Sequence, residues 1–257
     1  MWKVNGVLPY RGAVAERRRR RARRNAEEGR QSLLDAGRAL AHEQPAGPPL
    51  EHIHLTDVAQ RAGVSVGALY HYWDSQDDYR EDLLDEVFSP ARFEPPAESP
   101  AFDGPLDEVI RVGASAEFER LRSSADLRVL MAMWAAADPE IAPRVTGHFR
   151  TVGAQWAAFY EAAFAAYGLE VRPPFTYETL AALLAAIGDG LAVRASADPA
   201  SVPTVVPGGD GDEAWTLLGA ALVALLPAFS RPQGSDATFA DFLDELRAAL
   251  PVPGDDA

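Results

Sequence analysis

The sequence contains no cysteine, so disulfide bonds and thiolate metal sites are excluded. It also lacks a long uninterrupted apolar run, because the longest one, Trp215 to Phe229, contains Pro227 and is too short to span a bilayer comfortably. No charged segment followed by an apolar run and a small-residue cleavage site opens the chain. Lysine is almost missing, with Lys3 the one lysine among 24 basic residues. The lack of cysteine, of a membrane-spanning run and of a secretion signal predicts a cytoplasmic protein that does not enter a membrane.

Catalytic signatures are missing as well. There is no cysteine nucleophile, no serine elbow, no P-loop and no HExxH sequence. His52 and His54 lie two positions apart and cannot share a helix face, so they are a poor metal site. We therefore expect no enzyme, no cofactor and no metal.

The charge is distributed very unevenly. Residues 1–30 carry ten basic and three acidic side chains, a net charge of +7, whereas the remainder carries 14 basic and 35 acidic ones, a net charge of −21. A basic end on an acidic body suits a protein that presents one end to a polyanion. The overall charge of −14 argues against nucleic acid binding, but its distribution favours it.

The apolar periodicity is helical throughout and predicts an all-α fold in two domains. We expect a basic disordered arm at 1–25, a DNA-binding domain at 26–88, a proline-rich linker at 89–104, a larger helical domain at 105–250 and a tail at 251–257. Helices are predicted near 26–44, 55–62, 65–72, 75–88, 105–122, 124–137, 140–167, 175–196, 211–229 and 236–249.

Residues 55–73 satisfy the steric requirements of a helix-turn-helix. Two short helices cross steeply only if a small residue lies at the crossing, here Ala59, and if the turn accepts a left-handed residue, here Gly63. Ser65 stands where the second helix needs an N-cap. The positions that must face the core are all largely apolar: Val58, Ala62, Val64, Leu69 and Tyr72.

The stretch from Leu55 to Trp73, with the following Asp74-Ser-Gln-Asp-Asp78 and its helix, resembles the DNA-binding signature of the TetR family. The resemblance covers about residues 26–88 and implies an N-terminal three-helix domain whose second motif helix enters the major groove. It further implies an all-α homodimer with a ligand-binding and dimerisation domain. The resemblance also implies a bacterial repressor that acts at the nucleoid. In this family a small-molecule effector typically releases the repressor from its double-stranded DNA operator. Leu180 to Arg194 is similar to the dimerisation helix of many members.

The outward-facing surface of the motif offers few polar contacts to DNA. Many members carry lysine or threonine where this chain has Val66, Ala68 and Gln76, so base readout should be thin. An alternative is therefore a small-molecule-binding or scaffolding homodimer whose DNA binding is weakened or lost. The candidate DNA contacts are Thr56, Ser65, Val66, Gly67, Ala68, Tyr70, His71 and Gln76.

An arginine run precedes the first helix and could supply the missing contacts. Each arginine that neutralises a phosphate strengthens binding at low salt, and a basic arm can lie in the adjacent minor groove. A disordered tail without specific docking, and binding to RNA or an anionic membrane, remain alternatives. The residues of the run are Arg17, Arg18, Arg19, Arg20, Arg21, Arg23 and Arg24.

Two apolar groups in the second domain each allow two interpretations. Aromatic and soft residues at helical spacing either form the core or line an apolar ligand pocket, with Met131, Trp134, Phe149, Trp156 and Tyr160 as candidates. The ligand would then be bulky and apolar. Leucine-rich stripes on two later helices either pack within the chain or form a dimer interface, with Leu180, Leu184, Ile187, Leu191, Leu218, Leu222 and Leu225 as candidates.

Overall fold

The computed structural model describes residues 10–43, 50, 52–95, 102, 104–135, 139–204 and 214–249, without the side chains of 10–15 and 17. The chain divides into two compact units, Met1–Phe88 and Ser89–Ala257. The predicted tail at 251–257 lies outside the described residues, as does most of the loop at 44–51.

The first unit is built from four helices: α1 (Tyr10–Glu43), α2 (Leu55–Ala62), α3 (Val66–Leu69) and α4 (Gln76–Val87). Helix α1 packs against α2 and α4, and α2 packs against α3. Burying an apolar face on each helix gives the unit its own core, as expected for short helices that cannot hold their structure alone. The fully buried side chains of this core include Leu34, Val58, Leu69, Tyr79, Leu83 and Val87.

The expected disordered arm is wrong for residues 10–25, because α1 begins at Tyr10 rather than near Ala26. Arginine and alanine are strong helix formers, and opposite charges four positions apart support the helix. Two such pairs are present, Arg20 with Glu16 at 3.2 Å and Arg24 with Glu28 at 3.6 Å. The density of arginines alone does not predict that this segment is helical. The spacing of its few glutamates, four positions from arginines, is the feature that supports the helix.

The second unit contains six helices among the residues that the structure describes. They are α5 (Leu106–Ser123), α6 (Ala125–Ala135), α7 (Ala142–Ala166), α8 (Tyr177–Ala197), α9 (Leu217–Phe229) and α10 (Phe239–Ala249). Helix α8 packs against α5, α7 and α9, and α5 also packs against α9. The all-α prediction is confirmed in both units.

A two-stranded sheet departs from the expectation of helices alone. Strands β1 (Leu169–Val171) and β2 (Ser230–Pro232) pair antiparallel, with Leu169 opposite Pro232. Strands of three residues are too short to show apolar alternation, so the sequence pattern could not reveal them.

The expected linker contributes contacts to the second unit. Pro90–Arg92 form a short 3-10 turn, and the following Phe93 is buried. The carbonyl of Phe93 accepts a hydrogen bond from Trp156 Nε1 at 2.9 Å. Proline content alone suggested a linker, whereas the burial of Phe93 and its hydrogen bond from Trp156 hold this segment on α7.

Within the described part of the chain, α8 alone has the length and apolar composition of a membrane-crossing helix. About a third of that stretch is buried inside the second unit. Since α8 packs against three other helices there, we interpret it as a core helix.

Candidate nucleic-acid interface and ligand cavity

The turn between α2 and α3 has the geometry that a helix-turn-helix requires. Gly63 adopts a left-handed conformation with φ of 70°, which a side chain would disfavour. Its N–H donates to the carbonyl of Gln60, and the Val64 N–H donates to the carbonyl of Ala59 at 3.0 Å. This pair of bonds is a Schellman motif, which ends α2 and redirects the chain into α3.

Three details of the motif differ from expectation. Val64 is 43% exposed rather than buried, since the left-handed turn at Gly63 directs it outward. Helix α3 spans four residues and continues as a hydrogen-bonded turn up to Trp73, instead of extending to residue 72 as a helix. Ser65 occupies the N-cap position without a side-chain capping hydrogen bond.

The outer surface of the helix-turn-helix presents several of the expected DNA contacts. Tyr70 is 53% exposed, and Thr56, Ser65, Gly67 and His71 are exposed as well. Exposed phenol and imidazole groups can donate hydrogen bonds to phosphates or base edges.

The remaining candidates of the motif are half-buried. Val66 and Ala68 show only part of their apolar side chains to solvent. Gln76 lies near the start of α4, where its Nε2 is 3.3 Å from Nδ1 of His54. The amide of Gln76 therefore interacts with the residue that precedes α2, rather than projecting freely toward solvent.

A polar and aromatic network holds the motif on α1. Asp82 of α4 accepts hydrogen bonds from Arg30 of α1 and from Nε1 of Trp73. The guanidinium of Arg30 also lies over the Trp73 ring, 5.6 Å from its centroid. We call residues 66–72, which comprise α3 and the turn after it, the recognition segment. Because Trp73 immediately follows this segment, these contacts fix its end. The sequence reasoning did not identify this network.

The arginines of the run lie on a helix and are exposed. Every described side chain from Arg18 to Glu28 faces solvent. Arg20 and Arg24 pair with glutamates, whereas no ion pair is found for Arg18, Arg19, Arg21 and Arg23 among the described side chains. The side chain of Arg17 lies outside the described part of the chain.

The basic part of α1 begins beside the recognition segment. A side chain at Gly29 would clash with Oη of Tyr72, so the tyrosine packs directly on the helix there. At 1.5 Å per residue, the thirteen residues from Gly29 back to Glu16 extend about 20 Å beyond this contact. The arginines are therefore carried by the part of α1 that precedes its contact with Tyr72.

The second unit contains a partly open cavity of about 560 Å³. Helices α5, α7, α8 and α9 supply its walls, which are mainly aliphatic and aromatic. A cavity of this size and lining is typical of sites for small apolar molecules.

Three of the five predicted pocket residues line this cavity: Phe149, Trp156 and Tyr160. Met131 and Trp134 do not, and Trp134 is 59% exposed on α6. Trp134 contacts Phe149 edge-on at 6.3 Å between ring centroids, and Phe149 is itself 40% exposed. These two rings therefore mark where the cavity wall reaches the surface.

The leucine stripes face inward for the most part. Five of the seven residues predicted at a dimer interface line the cavity instead: Leu180, Leu184, Leu218, Leu222 and Leu225. Ile187 and Leu191 are half-buried and are not part of its lining. The stripes occur because α8 and α9 are apolar on several faces, so the periodicity could not distinguish a cavity from an interface.

Polar residues missed from the sequence also line the cavity. Asp189 projects from α8, and Glu117 and Arg120 project from α5. Burial raises the pKa of Asp189 to about 6. The Glu117 carboxylate also raises this pKa, whereas the Arg120 guanidinium lowers it. A single acid between Gly188 and Gly190, within an otherwise apolar helix, is the signal that could have identified it.

Comparison with known families identifies the first unit. Residues 33–87 match the family described as bacterial regulatory proteins, tetR family. A search of curated proteins finds no match.

Solved structures share the fold over most of the chain. A TetR-family protein from Vibrio parahaemolyticus is 19% identical, with a TM-score of 0.53, and the match covers 78% of this chain and 98% of that one. A TetR-family regulator from Mesorhizobium loti is 13% identical, with a TM-score of 0.54 and coverage of 80% and 98%. GusR from Salmonella enterica is 20% identical, with a TM-score of 0.51 and coverage of 68% and 87%. At these identities the likeness establishes the fold.

Proposed function

From the match of residues 33–87 to the tetR family of bacterial regulatory proteins, we propose that the chain is a repressor that a small ligand releases from operator DNA. One observation carries the proposal: a helix-turn-helix in which Tyr70 and His71, directly after the second helix, are exposed. Side chains at such positions enter the major groove in proteins with this motif.

Base recognition in this proposal depends on few groups. Tyr70 and His71 supply hydrogen bonds, and Val66 and Ala68 supply apolar contact such as to a thymine methyl. Gln76 contributes little, since its amide already interacts with His54. Because few groups contact the bases, most of the DNA affinity must come from contacts to phosphate.

The helical arginines supply those phosphate contacts. An α-helix is about 10–12 Å in diameter with its side chains, whereas the minor groove of B-DNA is about 6 Å wide. The basic half of α1 therefore cannot enter the minor groove as a disordered arm could. We propose that it runs along the phosphate backbone beside the recognition segment, with Arg18, Arg19, Arg21 and Arg23 as the principal contacts.

The effector site is the cavity of the second unit. Its volume of about 560 Å³ accommodates a drug-sized molecule, and Phe149, Trp156 and Tyr160 supply aromatic surface. A ligand that prefers one arrangement of α5, α7 and α8 would shift the population of the DNA-binding state.

A homodimer would use the outer face of α8 rather than its leucines. Ala182, Ala186, Gly190 and Val193 are exposed and recur every three or four residues, which places them along one stripe. Small residues let two helices approach closely, and Val193 is 45% exposed. The proposed dimer pairs this stripe with that of a second copy, and its half-sites would then lie about one helical turn apart or somewhat more.

Selection of bound duplexes from a random DNA pool tests the DNA-binding part of the proposal. We expect enrichment of a near-palindromic sequence, and occlusion of a promoter that contains it in a reporter assay. Failure to enrich any sequence at low salt would contradict the proposal and favour the alternative of a small-molecule-binding dimer that has lost DNA recognition.

A further inference from the structure

One carboxylate of the cavity, that of Asp189, has no direct polar partner in the described part of the chain. Asp189 belongs to the cavity lining, and no hydrogen bond or ion pair to it is found among the described residues. The surrounding wall is apolar, with Leu121, Leu184 and Leu218 in the same lining. A charged group in such surroundings loses hydration that only a paired cation or hydrogen bonds restore.

The neighbouring arginine is already committed elsewhere. Arg120 forms a two-pronged ion pair with Glu117, with its Nε 2.7 Å from Oε2 of the glutamate. Its Nη1 also donates to the carbonyl of Arg92 at 3.1 Å. Two carboxylates and one guanidinium leave this part of the cavity with one net negative charge.

Asp189 is ionised at neutral pH despite its surroundings. Its pKa is raised to about 6, mainly by burial, so the carboxylate keeps its charge above pH 7. The nearby Tyr160 hydroxyl stays protonated, since burial and the Glu117 carboxylate both raise its pKa above the ordinary value. Besides the His148 ring, the cavity therefore offers a carboxylate acceptor and a phenol hydroxyl among largely apolar walls.

We propose that the effector is a monocationic amphiphile, with an apolar body between α5, α7 and α8 and a protonated amine paired with Asp189. This inference rests on the proposed function, since it names the ligand class of the same cavity. An amine restores the hydrogen bonds that Asp189 lacks, and it balances the single net charge. An anionic ligand would meet two carboxylates and be excluded, which sharpens the sequence-based expectation of a bulky apolar ligand.

Three naphthalene probes of matched size test the charge preference by calorimetry on the full chain: 1-naphthylmethylamine, 1-naphthalenemethanol and 1-naphthoate. The amine should bind at least about tenfold more tightly than the alcohol, because a charge-assisted hydrogen bond is stronger than a neutral one. The naphthoate should bind most weakly. Equal affinity for amine and alcohol, tighter binding of the naphthoate, or no binding of any probe would each overturn the inference.

Variants assign the preference to the carboxylate. Asp189→Asn should bring the amine affinity to about that of the alcohol, and Glu117→Gln should reduce the preference independently by removing the net negative charge. Asp107→Asn removes an exposed carboxylate from the first turn of α5 and should leave the preference unchanged. An unchanged preference in both Asp189→Asn and Glu117→Gln would overturn the inference.

Failure of the inference can be separated from failure of the proposed function. Binding of the alcohol without preference for the amine refutes the charge argument while leaving an apolar effector site in place. Operator binding is measured on the same preparations by fluorescence anisotropy, so loss of DNA recognition is detected by a separate signal.

Discussion

The phenol of Tyr79 in α4 donates a hydrogen bond to the backbone carbonyl of Leu33 in α1, over 2.9 Å. Tyr79 is almost completely buried, and it crosses α1 where Gly37 leaves room for its ring. Its ring also packs edge-on against Trp73 at 4.9 Å between centroids. Since Trp73 follows the recognition segment, this one tyrosine ties α1, α4 and the end of the helix-turn-helix together.

Gly37→Ala should destabilise the first unit. The added Cβ would clash with Oη of Tyr79 and lie 3.2 Å from Cδ2 of Leu83, and neither buried side chain can move aside easily. Overpacking of this kind costs about 1–3 kcal/mol. Urea unfolding followed by circular dichroism measures the change.

A matched glycine separates packing from helix propensity. Gly147 lies in α7 with open space around it, so Gly147→Ala should stabilise the protein by about 0.5–1 kcal/mol. Adding Tyr79→Phe to Gly37→Ala should recover part of the lost stability by removing the clashing oxygen. A stabilising effect of Gly37→Ala equal to that of Gly147→Ala would contradict the packing argument.

The helix-turn-helix could be predicted from the sequence because its geometry leaves few choices. A left-handed turn needs Gly63, a close crossing needs Ala59, and burial needs Val58 and Leu69. The packing partners of the motif could not be predicted, because Tyr79 and Leu33 are 46 residues apart. Nothing in local periodicity indicates such a contact.

Replacing Arg18, Arg19, Arg21 and Arg23 by alanine should weaken DNA binding in a salt-dependent way. Each phosphate contact contributes about 0.9 to the slope of log K against log salt, so the slope should become shallower by up to about 3–4. Fluorescence anisotropy across a salt series measures this. Arg20→Ala with Arg24→Ala should change the slope less, since both arginines already pair with glutamates.

Helicity of the arginine segment is tested without changing its charge. Ala22→Pro retains every arginine but interrupts α1 within the run. DNA affinity should fall relative to Ala22→Ser, because the arginines would no longer lie along the backbone. Equal affinity of the two variants would show that a disordered basic arm is sufficient.

Val193→Glu should convert the protein to a monomer if the outer face of α8 forms the dimer. A carboxylate facing its own copy across an apolar interface would be buried without a partner. Leu246→Glu alters a comparably exposed apolar residue on α10 and should leave the assembly intact. Light scattering after size-exclusion chromatography gives both masses, and a dimeric Val193→Glu would contradict the assignment.

The roles of α8 and α9 could not be predicted from their composition. Leu184 and Leu218 indicated an interface because α8 and α9 carry more leucines than a small core needs. In the structure both residues line the cavity. Residues that line a cavity are as apolar as residues that pack in a core, so the sequence pattern does not distinguish them. Asp189 is the exception, because a lone acid in an apolar helix predicts a polar requirement that packing cannot explain.

Asp189→Asn should stabilise the protein at pH 7 and have no such effect at pH 4. A carboxyl with a pKa of about 6 when folded and 3.8 when unfolded binds its proton more tightly in the folded state. Stability therefore falls as pH rises from about 4 to about 6, and the asparagine variant avoids this loss of roughly 1–3 kcal/mol. Urea unfolding at both pH values measures it, and Asp107→Asn is the control expected to show no difference. A variant no more stable than wild type at pH 7 would contradict the unpaired state of Asp189.

In this account, DNA is read by the exposed surface of α3 together with Tyr70 and His71, which directly follow it. The most direct measurement is the ratio of dissociation constants between a selected duplex and a scrambled duplex at physiological salt, for wild type and for Tyr70→Ala with His71→Ala. Both residues are exposed, so the double variant should fold normally. We expect the wild type to prefer the selected duplex by about 10³ or more, and the double variant to lose at least tenfold of that preference. An unchanged preference in the double variant would contradict the claim.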